Sequence, residues 1–146
     1  MKVKEVLKIK DRETITVDPG TNVTAAMKVL LDNKVSCLPI VDDQGSLVGI
    51  LSDKDIFRKV YNDPDNFRNS PVGELMSTNL IVGLPDDDMT YIAGIMTQNR
   101  IRHVPIVTEQ QIVGLISVGD VVKLQIENVE IENRYLKQYI DGGYPG

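Results

Sequence analysis

Gly49-Ile50-Leu51-Ser52-Asp53-Lys54-Asp55 recurs once in this chain, as Gly114-Leu115-Ile116-Ser117-Val118-Gly119-Asp120. Each copy has a glycine, two aliphatic residues, a serine, and an aspartate three residues after the serine. Each closes an apolar run and opens an amphipathic one. That pattern predicts a buried strand running into a helix, with serine and aspartate at the helix start. The rest of the chain reads as two scaffolds that hold these turns.

Working outward, the halves match in order. Leu38-Pro39-Ile40-Val41 answers Val104-Pro105-Ile106-Val107. Val23, Ala26, Met27 and Leu30 answer Met89, Ile92, Ala93 and Met96, and the spacing puts one apolar stripe on a helix. Asn22 and Asp88 stand where helix N-caps are expected. Pro19 answers Pro85, and Val3-Lys4-Glu5-Val6-Leu7 answers Val72-Gly73-Glu74-Leu75-Met76. A repeat with this order predicts a duplicated unit.

Each unit reads as a short helical turn followed by β-α-β-β-α. The first strands are expected at 14–17 and 80–83, and the first helices at 23–33 and 89–99. Strand pairs follow at 37–41 with 47–51 and at 103–107 with 112–116. Asp42-Asp43-Gln44-Gly45 suits a hairpin turn. The expected architecture is α/β: two such units packed face to face with pseudo-twofold symmetry, leaving two clefts between them. By chain order the units are residues 1–61 and 72–127, joined by a polar linker at 62–71. The last helix is expected to run on from Asp120 to about Ile140, into a helical tail at 128–146, with an interrupted apolar stripe through Val122, Ile126, Val129, Leu136 and Ile140 and with Tyr135 and Tyr139 beside it. It folds over its own unit or forms a dimer contact.

Composition narrows the function. The net charge of −5 argues against a nucleic-acid groove. The single Cys37 excludes an intrachain disulfide and suits a reducing compartment. No apolar run approaches the ~18 residues of a membrane span, and Met1–Glu5 opens no signal peptide. A cytoplasmic protein without a membrane role is expected. Asp42-Asp43 and Asp86-Asp87-Asp88 read as a turn and a helix N-terminus rather than a metal site. There is no zinc spacing and no catalytic constellation, so the reading is not an enzyme. Cys37 reads as a buried thiol in a strand rather than a reactive one.

The Leu-Pro-Ile-Val and Val-Pro-Ile-Val segments and the paired glycine-serine-aspartate turns resemble the CBS domain, present as a tandem pair, or Bateman module, over residues 1–127. The resemblance implies a stand-alone regulatory module of prokaryotic type. It would bind an adenosine nucleotide (AMP, ADP or ATP) in the clefts and signal to a protein effector, as a homodimer. NAD(H) and S-adenosylmethionine share the same moiety. A module with empty sites, used only for assembly, is the rival.

Under that resemblance the residues take roles. Asp55 and Asp120 can each accept both vicinal hydroxyls of a ribose. Ser52 and Ser117 stand at helix N-termini, where phosphate is favoured. Ser-x-x-Asp is also close to a capping box, which needs no ligand, and both roles can coexist. The base is expected against Ser36-Cys37-Leu38-Pro39 and Arg102-His103-Val104-Pro105, where each proline withholds a ladder donor. The resemblance adds the first strands, Ile15-Thr16 and Ile81-Val82. Leu38, Val104, Ile15 and Ile81 also read as ordinary core. Arg100, Arg102 and His103 are expected to strengthen anion binding by the second unit. Lys54 would compensate beside Asp55, in a first site that otherwise has Ser36-Cys37.

Overall fold

A computed structural model describes residues 1–126 of the chain. Helix α1 spans Val3–Lys10, α2 spans Val23–Asn33 and α4 spans Met89–Asn99, with α3 at Asp53–Asn62 and α5 at Val118–Ile126. Strands β1 (Cys37–Val41) and β2 (Leu47–Ser52) form one antiparallel hairpin; β3 (His103–Thr108) and β4 (Gln111–Ser117) form the other. The duplicated α/β architecture is therefore present. The expected continuation of the tail beyond residue 126, with Val129, Leu136 and Ile140, lies outside the described residues.

Local chemistry sets these boundaries. Asn22 Oδ1 accepts from Ala25 N at 2.8 Å, and Asp88 Oδ1 accepts from Thr90 N at 2.8 Å, so both helices start on a side-chain cap. The buried stripes are Val23, Ala26 and Leu30 on α2 and Met89, Ile92 and Met96 on α4. In the first hairpin Asp42 Oδ1 accepts from Gln44 N and Ser46 N, and Gly45 adopts φ 79°. The second turn is shorter, with Glu109 and Gln110 both at positive φ, as a two-residue I′ turn requires.

The first strand of each unit differs from expectation. Residues 14–17 and 80–83 form single parallel bridges, Val17 with Ile40 and Gly83 with Ile106. The prolines explain why. Val17 N donates to the Pro39 carbonyl at 3.2 Å and Val41 N to the Val17 carbonyl at 3.0 Å. One step back along this ladder, the donor to the Ile15 carbonyl would be the nitrogen of residue 39, which in proline has no hydrogen. Gly83 and Pro105 repeat the arrangement, with bonds of 2.9 and 3.0 Å. Neither Ile15 nor Ile81 makes a backbone hydrogen bond among the described residues.

The halves exchange their leading segments. Val3 and Val6 are buried with Met89, Ile92, Met96, Val104, Ile106 and Ile116, the core of the second unit. Val72 is buried with Val23, Ala26, Leu30, Leu38, Ile40 and Leu51, the core of the first. Matching backbone bonds fix the exchange. Val3 N donates to Asp87 O at 2.9 Å and Lys4 N to Pro85 O at 2.9 Å; Val72 N donates to Thr21 O at 2.8 Å and Gly73 N to Pro19 O at 2.9 Å. Gly49 and Gly114 make room for it. A Cβ on Gly49 would overlap the Met76 side chain, and one on Gly114 would overlap Leu7.

Gly49→Val is expected to destabilise the fold by about 1–3 kcal/mol through overpacking. Adding Met76→Ala should recover part of that loss in urea unfolding. Strictly additive losses would contradict the close-approach role of Gly49.

Candidate functional site

Both glycine-serine-aspartate turns fold as capping boxes. Ser52 ends β2 and caps α3: its N–H donates to Asp55 Oδ2 at 2.8 Å, its hydroxyl donates to the same oxygen at 3.0 Å, and it accepts from Asp55 N at 3.3 Å. Ser117 and Asp120 repeat this at 2.8, 3.1 and 3.2 Å. Each box uses only Oδ2. Asp55 Oδ1 faces Arg58 Nη1 at 3.6 Å, and Asp120 Oδ1 has no partner among the described residues. One carboxylate oxygen per turn thus remains available to a hydroxyl donor, and capping and binding are compatible.

The clefts combine residues from both units. The Ser52 turn contributes Ile50, Ser52, Lys54 and Asp55 to a cleft of ≈ 280 Å³, whose other wall is Ser77, Arg100, Ile101, Arg102 and His103. Cys37 lines this cleft and also the second one, of ≈ 120 Å³, with Leu7, Lys10, Arg12, Glu13, Thr14, Ile15, Val35, Val113, Gly114 and Leu115. The grouping corrects the sequence expectation that Arg100, Arg102 and His103 serve a site separate from Ser52, Lys54 and Asp55. Face-to-face packing brings the second unit's cations to the first unit's carboxylate. Arg102 Nη2 reaches Asp53 Oδ1 at 3.2 Å across that boundary.

The strand starts sit at the centre of this arrangement. Cys37 pairs with Ser52 and His103 with Ser117. Burial and the carboxylates of Asp55 and Asp53 push the Cys37 thiol up to about 12 against the opposing pull of Arg102, which makes it a packing residue rather than a nucleophile. Burial holds the His103 imidazole below its usual pKa; the positive charges of Arg102 and Lys10 add to this, and Asp53 and Asp120 oppose it. Arg100 ends α4 in a left-handed conformation, φ 56°, where glycine is the usual residue. Among the described residues no group of His, Cys, Asp and Glu side chains could hold a metal ion, and no helix is long and apolar enough to cross a membrane.

The remaining sequence candidates fall into two groups. Leu38, Val104, Pro39 and Pro105 are fully buried, and Leu38 and Val104 belong to the two cores, so their side chains face away from the clefts. Thr16 lines a shallow groove with Asp42 and Asp43 instead, and Val82 is exposed. Ile15 lines the smaller cleft, and Ile81 is half-buried. The Ser36 carbonyl accepts from Asp53 N and the Arg102 carbonyl from Val118 N, both at 2.9 Å, tying each pre-proline segment to its helix start. Sequence reasoning missed Ser77 and Lys10. Both belong to exchanged segments, so no local pattern announces their cleft.

The geometry matches what comparison with known proteins finds. The CBS domain model matches residues 3–62 and 72–127. The CBS domain-containing protein YhcV of Bacillus subtilis is 34% identical over 124 residues, covering 82% of this chain and 86% of that protein. The mitochondrial CBS domain-containing protein CBSX3 of Arabidopsis thaliana is 32% identical over 123 residues, 82% of this chain and 60% of its own length. Among solved structures, the CBS-domain protein ATU1752 from Agrobacterium tumefaciens has a TM-score of 0.81 at 29% identity, covering 86% of this chain and all (100%) of that one. The CBS domain pair of protein MJ0100, in complex with 5′-methylthioadenosine and S-adenosyl-L-methionine, has a TM-score of 0.77 at 27% identity, covering 88% and 98%. CBSX2 in complex with AMP has a TM-score of 0.68 at 26% identity, covering 80% and 90%. With both halves matched and the paired architecture reproduced, the chain belongs to the CBS domain family, as a tandem pair.

Proposed function

We propose that the chain is a regulatory module that binds a phosphate-bearing adenosine nucleotide, of the AMP, ADP or ATP type, in the Asp55 cleft. One observation carries the reading: Lys54, Arg100, Arg102 and His103 converge on the cleft that holds Ser52 and Asp55. Asp55 Oδ1, which the capping box does not use, takes ribose hydroxyls. Arg102 and Arg100 take phosphate, with Lys54 at the rim. Ile50, Ile101 and Cys37 form an apolar wall for the base. The adenosine compounds named in the MJ0100 and CBSX2 structures support the ligand class. The basic side chains favour a phosphorylated member of it over a sulfonium nucleoside.

A ligand held this way touches both units and so favours one of their relative arrangements. Regulation follows if a protein effector distinguishes the arrangements, because a ligand shifts an equilibrium only through differential affinity. The output is binding rather than catalysis, and the working form is a homodimer. The completeness of both capping boxes without ligand favours a second reading, an interaction module with empty clefts.

Calorimetry separates these. Asp55→Asn keeps a capping acceptor and should leave the melting temperature near wild type while weakening AMP at least about tenfold. Combining Arg102→Ala with His103→Ala should weaken AMP at least about tenfold and adenosine less than about twofold. Equal losses for both ligands contradict the phosphate assignment; no heat with AMP, ADP or ATP favours the empty module.

His103 adds a pH signature. Its folded pKa is lowered, so the unfolded chain binds the proton more readily as pH falls through about 6.5. Unliganded stability should therefore fall from pH 7 to pH 5 in wild type more than in His103→Gln. Parallel thermal-unfolding profiles would show that the imidazole is not held neutral.

A further inference from the structure

We propose that Lys10 is a tethered plug that closes the Asp120 cleft, leaving the chain one working nucleotide site, the Asp55 cleft. This rests on the nucleotide reading above. The Lys10 ammonium donates to Asp120 Oδ2 at 2.8 Å and to the Leu115 carbonyl at 2.8 Å. Asp120 Oδ2 thereby accepts from Lys10, from Ser117 N and from the Ser117 hydroxyl together. Among the described residues Asp55 Oδ2 accepts only from Ser52, whereas at Asp120 the Lys10 ammonium is a third donor on the same oxygen and occupies the space beside the carboxylate.

The other cleft lacks this contact, and the repeat explains why. Helix α1 continues to Lys10, so the side chain at its last turn reaches across to β4. Its counterpart is only a 3₁₀ turn, Val72–Glu74, and by Ser77 the chain is bridged to Ile50. There Ser77 N donates to the Ile50 carbonyl at 2.9 Å, and Ile50 N donates to the Ser77 carbonyl at 3.0 Å. Backbone thus satisfies in the first unit the carbonyl that Lys10 satisfies in the second. With Val3 answering Val72, the residue in the place of Lys10 is Asn79, which is exposed and makes no side-chain bond to Asp55. The clefts differ accordingly: Ser52 and Asp55 line the one of ≈ 280 Å³, whereas Lys10 and Leu115 line the one of ≈ 120 Å³ and neither Ser117 nor Asp120 does.

The competing account is that Lys10 only staples α1 to the second unit. Titration calorimetry with AMP on the full chain distinguishes them. Wild type should bind one AMP per chain, lost in Asp55→Asn and kept in Asp120→Asn. Lys10→Met, which keeps the aliphatic stem, should bind two, and adding Asp120→Asn should remove the second. If Lys10→Met does not fold, Lys10→Gln takes its place. Two sites in wild type, or no site gained over wild type in a folded Lys10 variant, would overturn the plug. No AMP in wild type but one Asp120-dependent site in the Lys10 variant would sink the Asp55 reading and support the plug. No binding in either overturns both.

Discussion

The structure depends on the exchange of leading segments between the two units. Val3 and Val72 are each fully buried in the core of the opposite half. Removing a valine of this kind from water is worth about 1.5–3 kcal/mol, and each is fastened by a matched pair of backbone bonds. Neither half can complete its core from its own contiguous residues. The two glycines that precede the serine-aspartate turns accept Leu7 and Met76, so the exchange is written into the same short motif that builds the clefts.

From that constraint the composite clefts follow. Face-to-face packing puts Cys37 on both clefts and His103 on the Asp55 cleft, and each cleft draws its walls from both units. A carboxylate from one half therefore faces guanidinium groups from the other. A ligand that needs both a hydroxyl acceptor and cations reads the relative position of the halves, which suits a module whose output is a change of arrangement. The two clefts are related by the fold but not by chemistry. Lys10 and Asn79 occupy matching places, and so do Ser36-Cys37 and Arg102-His103.

Much of the fold was legible in the sequence because it is local. The 3.6-residue stripes of α2 and α4 stand on Asn22 and Asp88 caps, and the hairpins are bounded by turn residues, so periodicity and capping chemistry suffice. The first strands were over-read at 14–17 and 80–83, since the effect of Pro39 and Pro105 depends on which carbonyl each would have served, a matter of register. The serine-aspartate turns were legible, as was the burial of Cys37. The grouping of Arg100, Arg102 and His103 with Asp55 was not, because it comes from how one unit lies on the other. Lys10 escaped for the same reason: from sequence it is a basic residue in the last turn of a helix, a position explained by the helix dipole alone.

The most direct measurement is a crystal structure of the full chain grown with AMP. The account predicts ribose hydroxyls on Asp55 of one unit and phosphate oxygens on Arg102 or Arg100 of the other, in the same cleft. AMP bound with its ribose on Asp120 while the Asp55 cleft stays empty, or AMP held wholly within one unit, would contradict it.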